Sequence, residues 1–192
     1  YQEQILQGVS RTFALTSPHL PSRLAEVVVN ADLLCRIADT IEDDKDMPFE
    51  QKQQYSEMFI KVVKDEQSAS TFASDVHPLL SSSATAAEKD LILNTESVIR
   101  ITHSFNQRQR MALERCIKIM ADGMVHYQDA ETLDGLVNQT AMDEYCYYVA
   151  GVVGEMLTEL FCDYSTQINQ DYDELFKLSV SARSLLVTRR GI

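Results

Sequence analysis

Apolar residues recur along this chain every three to four positions and nowhere alternate over a useful length, so the pattern predicts helices and no strands. Tyr55, Met58, Phe59, Val62 and Val63 stand at i, i+3, i+4, i+7 and i+8, the stripe of a one-sided amphipathic helix. Leu113, Cys116, Ile117, Met120, Ala121 and Met124 make another stripe, and Leu91, Val98, Ile99, Thr102 and Phe105 continue the theme. From Leu24 to Asp39 apolar residues dominate with few breaks, as in a buried helix. Tyr145 to Phe161 is almost entirely apolar and predicts a central helix surrounded by others. Residues 66–87, rich in Ser, Ala and Thr, predict a loop or a short helix between longer ones. The fold class expected is all-α, in one domain.

Composition narrows the classes. The chain has 192 residues, 45% of them apolar, enough for a globular core rather than a disordered chain. No proline follows Pro78, which removes the strongest helix breaker from the remaining residues. A formal net charge of −12 repels phosphate backbones and argues against nucleic acid as a partner. If the substrate is itself an anion, a metal ion is the simplest way to neutralise it. Cys35, Cys116, Cys146 and Cys162 show no C-x-x-C spacing and read as free thiols of a reducing cytoplasm. No apolar run approaches the ~20 residues of a membrane-spanning helix, and no signal sequence opens the chain. A start at Tyr1 without Met points to a trimmed N-terminus.

Three segments carry candidate chemistry. In Arg36-Ile-Ala-Asp39-Thr-Ile-Glu42-Asp43-Asp44, three carboxylates share one helix face at i, i+3 and i+4. Their mutual repulsion calls for a cation, and oxygen-only ligands select Mg2+ or a similar hard ion. Arg36, one turn earlier, could hold a carboxylate or contact a phosphate. The bland alternative is an acidic helix end with Asp44 and Asp46 as solvated charges. In Ser10-Arg11-Thr12-Phe13, two hydroxyls flank a guanidinium, all suitable donors to diphosphate oxygens. Its bland alternative is a helix N-cap at Ser10 with a solvent arginine. In Asp143-Glu144-Tyr145-Cys146-Tyr147-Tyr148-Val149-Ala150-Gly151-Val152-Val153-Gly154, Tyr145 and Tyr148 share a face. They could line a cavity that holds a carbocation through cation–π attraction, or be core tyrosines. Gly151 and Gly154, unfavourable inside a helix, would permit close helix packing or leave room for a long apolar ligand.

The three segments in this order, from about Ser10 to Ser181, resemble the squalene/phytoene synthase family. The resemblance implies an all-α isoprenoid synthase fold around a central cavity. It implies head-to-head condensation of two prenyl diphosphates, farnesyl diphosphate being expected here, through a cyclopropylcarbinyl diphosphate. The product would be squalene, with NADPH, or dehydrosqualene or phytoene, without it. Asp39, Glu42 and Asp43 match the family's first Mg2+ motif. Ser10, Arg11 and Arg36 match diphosphate-contacting positions, with Thr12 in place of a second serine and Tyr148 on the substrate side. Tyr145 matches the tyrosine that assists ionisation or proton handling, with Arg36 beside it. Asp32 stands where many relatives carry a tyrosine.

The same resemblance expects a second Asp-rich helix after Ser181. Residues 182–192 contain none and read as an atypical tail beyond a domain of residues 1–181. Missing later helices would expose apolar surface and favour a partner chain or aggregation. The competing expectations are therefore an inactive interaction module that keeps the fold, and a generic acidic helical bundle with no small-molecule site. A cytoplasmic protein is expected. Peripheral membrane contact, suggested by a hydrocarbon product, and oligomeric state are left open.

Overall fold

The structure is a computed structural model and describes residues 1–129 and 136–178. The expectations placed on residues 182–192, and the boundary at Ser181, lie outside the described residues. Those described are helical, with no strand among them. Helix α1 (Gln2–Val9) and the short α2 (Arg11–Thr16) precede the central α3 (Ser22–Glu42). Then come α4 (Phe49–Val63), α5 (Ala69–Val76), α6 (Ala86–Leu93), α7 (Thr95–Thr102) and the long α8 (Gln107–Asp129). Helices α9 (Gln139–Cys146) and α10 (Val152–Tyr164) are joined by a π-helical turn, Tyr147–Gly151, and α11 (Thr166–Asn169) follows.

The start of α3 follows from Pro21, whose fixed φ suits the entry to a helix, and from the unbroken apolar run behind it. Because α3 is apolar nearly all round, it is buried by contacts with α1, α4, α6, α7, α8 and α10. Leu33, Leu34, Ile37 and Ile41 are completely enclosed. Asn30, also completely enclosed, gives its amide to Thr102 Oγ1 at 2.7 Å and takes a bond from Gln2 Nε2 at 2.6 Å, which pins α1 and α7 to α3. Phe59 of α4 stacks on Phe72 of α5, ring centroids 5.2 Å apart. The segment expected as loop or short helix becomes α5, because Ser68 caps it by accepting from the Thr71 N–H.

Two expectations change. The stripe from Leu91 to Phe105 is two helices, because the chain breaks at Asn94, which ends α6 and begins α7. The Tyr145–Phe161 helix is not a surrounded central helix. It is interrupted by the π turn, and Tyr145 to Val149 are only half-buried, because its cavity-facing side is uncovered among the described residues. The place of the central helix belongs to α3. All four cysteines are free thiols; Cys35, Cys116 and Cys162 are buried and Cys146 half-buried. Among the described residues, no helix is long and apolar enough to cross a membrane.

Candidate active site

The carboxylates lie at the last turn of α3, where the helix dipole is negative and acids are least welcome. Asp39 and Glu42 are half-buried and Asp43, the C-cap, is exposed. This end is tied down from two sides. The Glu42 carbonyl accepts from Lys52 Nζ of α4 and from Gln128 Nε2 of α8, the latter at 2.7 Å. Asp44, one alternative's solvated charge, is instead 2% exposed. It accepts N–H bonds from Ser81 at 2.7 Å and from Asp46 and Met47 at 3.1 Å. Burial opposes its ionisation, but those bonds outweigh it and hold the carboxyl below its ordinary range. Asp44 is therefore the post that anchors the turn after the acids.

Arg36 is held on both terminal nitrogens. Nη1 donates to Asp39 Oδ2 at 2.9 Å and Nη2 to Glu88 Oε1 at 2.8 Å, while its buried Nε has no partner. Glu88 was not among the expected site residues. Thr85-x-x-Glu88 is legible as a capping box opening α6, and both of its bonds form. What the pattern does not show is that the same carboxylate also orients an arginine 52 residues away.

Next to this pair lies a cavity of about 300 Å³. Ser10, Asp32, Arg36 and Asp39 make its polar end; Phe13, Val28, Met120, Val149, Val153 and Leu157 are among its apolar walls. Ser10 occupies the N-cap of α2 but makes no capping bond. Its side chain interacts with Asp32 instead. Burial pushes Asp32 up to about 6 against the pull of Ser10 and Arg36, and its buried Oδ2 has no partner. Arg11 and Thr12 are exposed on the first turn of α2 and do not line the cavity. Thus the structure gathers Ser10, Arg36 and Asp39 and leaves Arg11 and Thr12 outside.

Tyr145 stands beside the acids. Burial, and then the charges of Glu42, Asp43 and Asp39, push its phenol up to about 12. It meets Tyr127 of α8 edge-on, centroids 5.6 Å apart. Tyr148 is not among the residues lining the cavity; it packs on α8. A Cβ built at Gly123 would sit 2.1 Å from Tyr148 Cγ. The close helix packing expected of Gly151 and Gly154 is therefore made by Gly123. At Gly151 a Cβ would meet the Tyr147 ring at 2.8 Å, and at Gly154 it would meet nothing within 4 Å.

The acids suit a hard cation. Burial, opposed by Arg36 and reinforced by Asp43 and Asp32, pushes Asp39 up to about 6. Burial and then Asp43 push Glu42 up to about 7. Among the described residues no three His, Cys, Asp or Glu side chains are already placed to hold a metal by themselves. Mg2+ does not require that, since it commonly takes one or two carboxylates and completes its shell with phosphate and water.

These shifts predict a pH dependence. A carboxyl whose folded value is raised stabilises the fold below its unfolded value, and that contribution is lost as pH rises through about 6 for Asp39 and about 7 for Glu42. Asp44 and Glu88 act the other way: burial opposes them, bonds from Ser81 or Thr85 prevail, and their contribution is lost in acid. Without Mg2+, thermal melts should show a higher midpoint at pH 5.5 than at pH 8, by roughly 4–8 °C for a screened total on the order of 2 kcal/mol. Mg2+ should narrow the gap. Equal midpoints at both pH values would show that these carboxyls are not under strain.

A family model described as squalene/phytoene synthase matches residues 6–179. A squalene synthase of Schizosaccharomyces pombe is 32% identical over 161 residues, which cover 82% of this chain and 33% of that protein. Squalene synthase 1 of Arabidopsis thaliana is 31% identical over 159 residues, covering 82% and 35%. The lycopaoctaene synthase of Botryococcus braunii is 28% identical over 159 residues, covering 83% and 33%. The chain of a solved structure, "The complex structure of TcSQS with ligand, BPH1237", superposes with a TM-score of 0.67 at 25% identity, covering 93% of this chain and 49% of that one. The chain spans about a third of the length of the curated relatives it matches.

Proposed function

This chain belongs to the squalene/phytoene synthase family, and from that premise we propose that its cavity binds a prenyl diphosphate through Mg2+. The fold is the all-α isoprenoid synthase fold, and the family's reaction is the head-to-head condensation of prenyl diphosphates. Farnesyl diphosphate is the proposed substrate, and squalene, formed with NADPH, the proposed product. Dehydrosqualene or phytoene is the alternative.

The observation that carries this reading is the meeting of Asp39, Glu42, Asp43 and Tyr145 beside an apolar cavity. Asp39, Glu42 and Asp43 would hold Mg2+ against the diphosphate. Bound there, the metal neutralises phosphate charge and improves the leaving group. Arg36, fixed by Asp39 and Glu88, lines the polar end, where its guanidinium charge would attract a phosphate. The Ser10 hydroxyl, which bonds Asp32 here, would have to turn from that carboxyl to donate to phosphate. Tyr145 keeps its proton at neutral pH and so acts as a donor to the departing group. The apolar walls of Phe13, Val149, Val153 and Leu157 would pack along the allylic chain.

Because Asp32, Asp39, Glu42 and the C-cap Asp43 all belong to one helix, α3, a half-site that binds without turnover is the second reading. The experiment uses farnesyl diphosphate with and without Mg2+, measuring pyrophosphate release and the extracted lipid. It also measures binding of a non-hydrolysable thio-analogue by calorimetry. Turnover supports the synthase, and NADPH then decides the product class. Mg2+-dependent binding without turnover supports the half-site. Absence of Mg2+-dependent binding rejects both.

A further inference from the structure

The π turn between α9 and α10 has its own lock, and the lock lies outside the residues assigned to the site. In this turn the Val152 N–H bonds to the Tyr147 carbonyl, five residues back. A π turn inserts one residue into an α-helix and is disfavoured, so it persists where something holds it and is frequent at functional sites. The extra residue rotates everything beyond it by about 100°. It therefore sets which residues before the turn face the acids of α3 and which beyond it face the cavity.

The holding contacts converge on Glu155 of α10. Glu155 is 3% exposed, too enclosed for an unpaired carboxylate. Its Oε2 takes a bond from Arg115 Nη2 of α8 at 2.5 Å and another from the Tyr147 hydroxyl at 3.4 Å. The two residues thus span the turn, from its first residue to the helix beyond. Arg115 also reaches Glu159 Oε1 at 3.4 Å, and its guanidinium lies 5.9 Å from the centre of the Phe176 ring. The charge needed to bury Glu155 therefore comes from α8, the helix that also carries Gly123 under Tyr148 and Tyr127 against Tyr145.

We propose that Glu155, paired with Arg115, is a positioning residue: it locks the π turn against α8 and so fixes where Tyr145 stands relative to the carboxylates of α3. The functional consequence rests on the reading of Tyr145 given above; the structural claim does not.

Glu155 is enclosed and Arg115 partly exposed; an ion pair with a buried partner can be replaced by apolar residues of similar volume with little loss of stability. This separates locking from simple support. In the full chain, 3-fluorotyrosine would be incorporated and the residue-145 19F signal assigned from its loss in Tyr145→Phe. The comparison is between wild type, Glu155→Gln and the double variant Arg115→Met/Glu155→Leu. The double variant is expected to melt within a few degrees of wild type, yet to show a shifted or split residue-145 signal, because the ring no longer keeps one place beside Tyr127. Glu155→Gln, which retains an acceptor for Tyr147, should lie between the two. A double variant as stable as wild type with an unchanged residue-145 signal would overturn the proposal. If instead it is unstable, Tyr147→Phe decides: a moved signal supports the lock and an unmoved one overturns it. Should the wild-type signal ignore Mg2+ with pyrophosphate while still depending on Glu155, the functional reading fails and the lock stands.

Discussion

A single methyl group added at position 123 is expected to lower the melting midpoint by roughly 2–12 °C. Gly123 is buried on α8, and its missing Cβ is where the Tyr148 ring begins. An ideal Cβ there would lie 2.1 Å from Tyr148 Cγ and 2.4 Å from Tyr148 Cβ. These atoms sit at the root of the side chain, so no rotation of its far end relieves the clash. Relief requires the π turn or α8 to move, and overpacking of this kind costs about 1–3 kcal/mol, which for a chain of this size gives the stated change in midpoint. Two controls locate the cause. Gly123→Ala combined with Tyr148→Ala should recover much of the loss contributed by the clash. Gly154→Ala, where nothing stands within 4 Å, should be neutral or gain up to about 1 kcal/mol from helix propensity. Equal effects of alanine at 123 and 154 would mean that Tyr148 does not rest on α8.

Asp39→Asn is expected to separate stability from function. The amide keeps the shape and an acceptor for Arg36, but removes a charge that burial already disfavours and that Asp43 and Asp32 repel. The apo protein at pH 8 should therefore melt no lower than wild type. Mg2+-dependent affinity for pyrophosphate should fall by at least about 10–100-fold, the cost of losing even a group that only supports a metal ligand. Glu42→Gln should act in the same direction. Calorimetry in the presence and absence of Mg2+ reads the binding, and a thermal melt of the same sample reads the fold. Unchanged affinity in Asp39→Asn would remove these carboxylates from any metal role.

Much of the scaffold was legible because α3, α4 and α8 carry their apolar residues at helical spacing, and a helix that buries a face must repeat it. The candidate site was legible in part for the same reason. Asp39 and Glu42 share a face of α3 whatever surrounds it, and Arg36 reaches Asp39 within one turn. Tyr145 stood out through its segment, but nothing local aimed it at the acids. Thr12 and Arg11 show the reverse: suitable donors by type, they are exposed outside the cavity, which Ser10 and Phe13 of the same turn line.

The sequence by itself determined the helical class and the clustering of acids at one helix end, since both follow from interactions between residues three or four apart. Tertiary structure decided the rest. Glu88 holds Arg36, Glu155 and Arg115 hold the π turn, Gly123 admits Tyr148, and Asp44 is a buried anchor rather than a solvated charge. In each case the partners are brought together by packing across tens of residues, and no local pattern encodes which distant backbone will come close enough to complete a bond or forbid a methyl group.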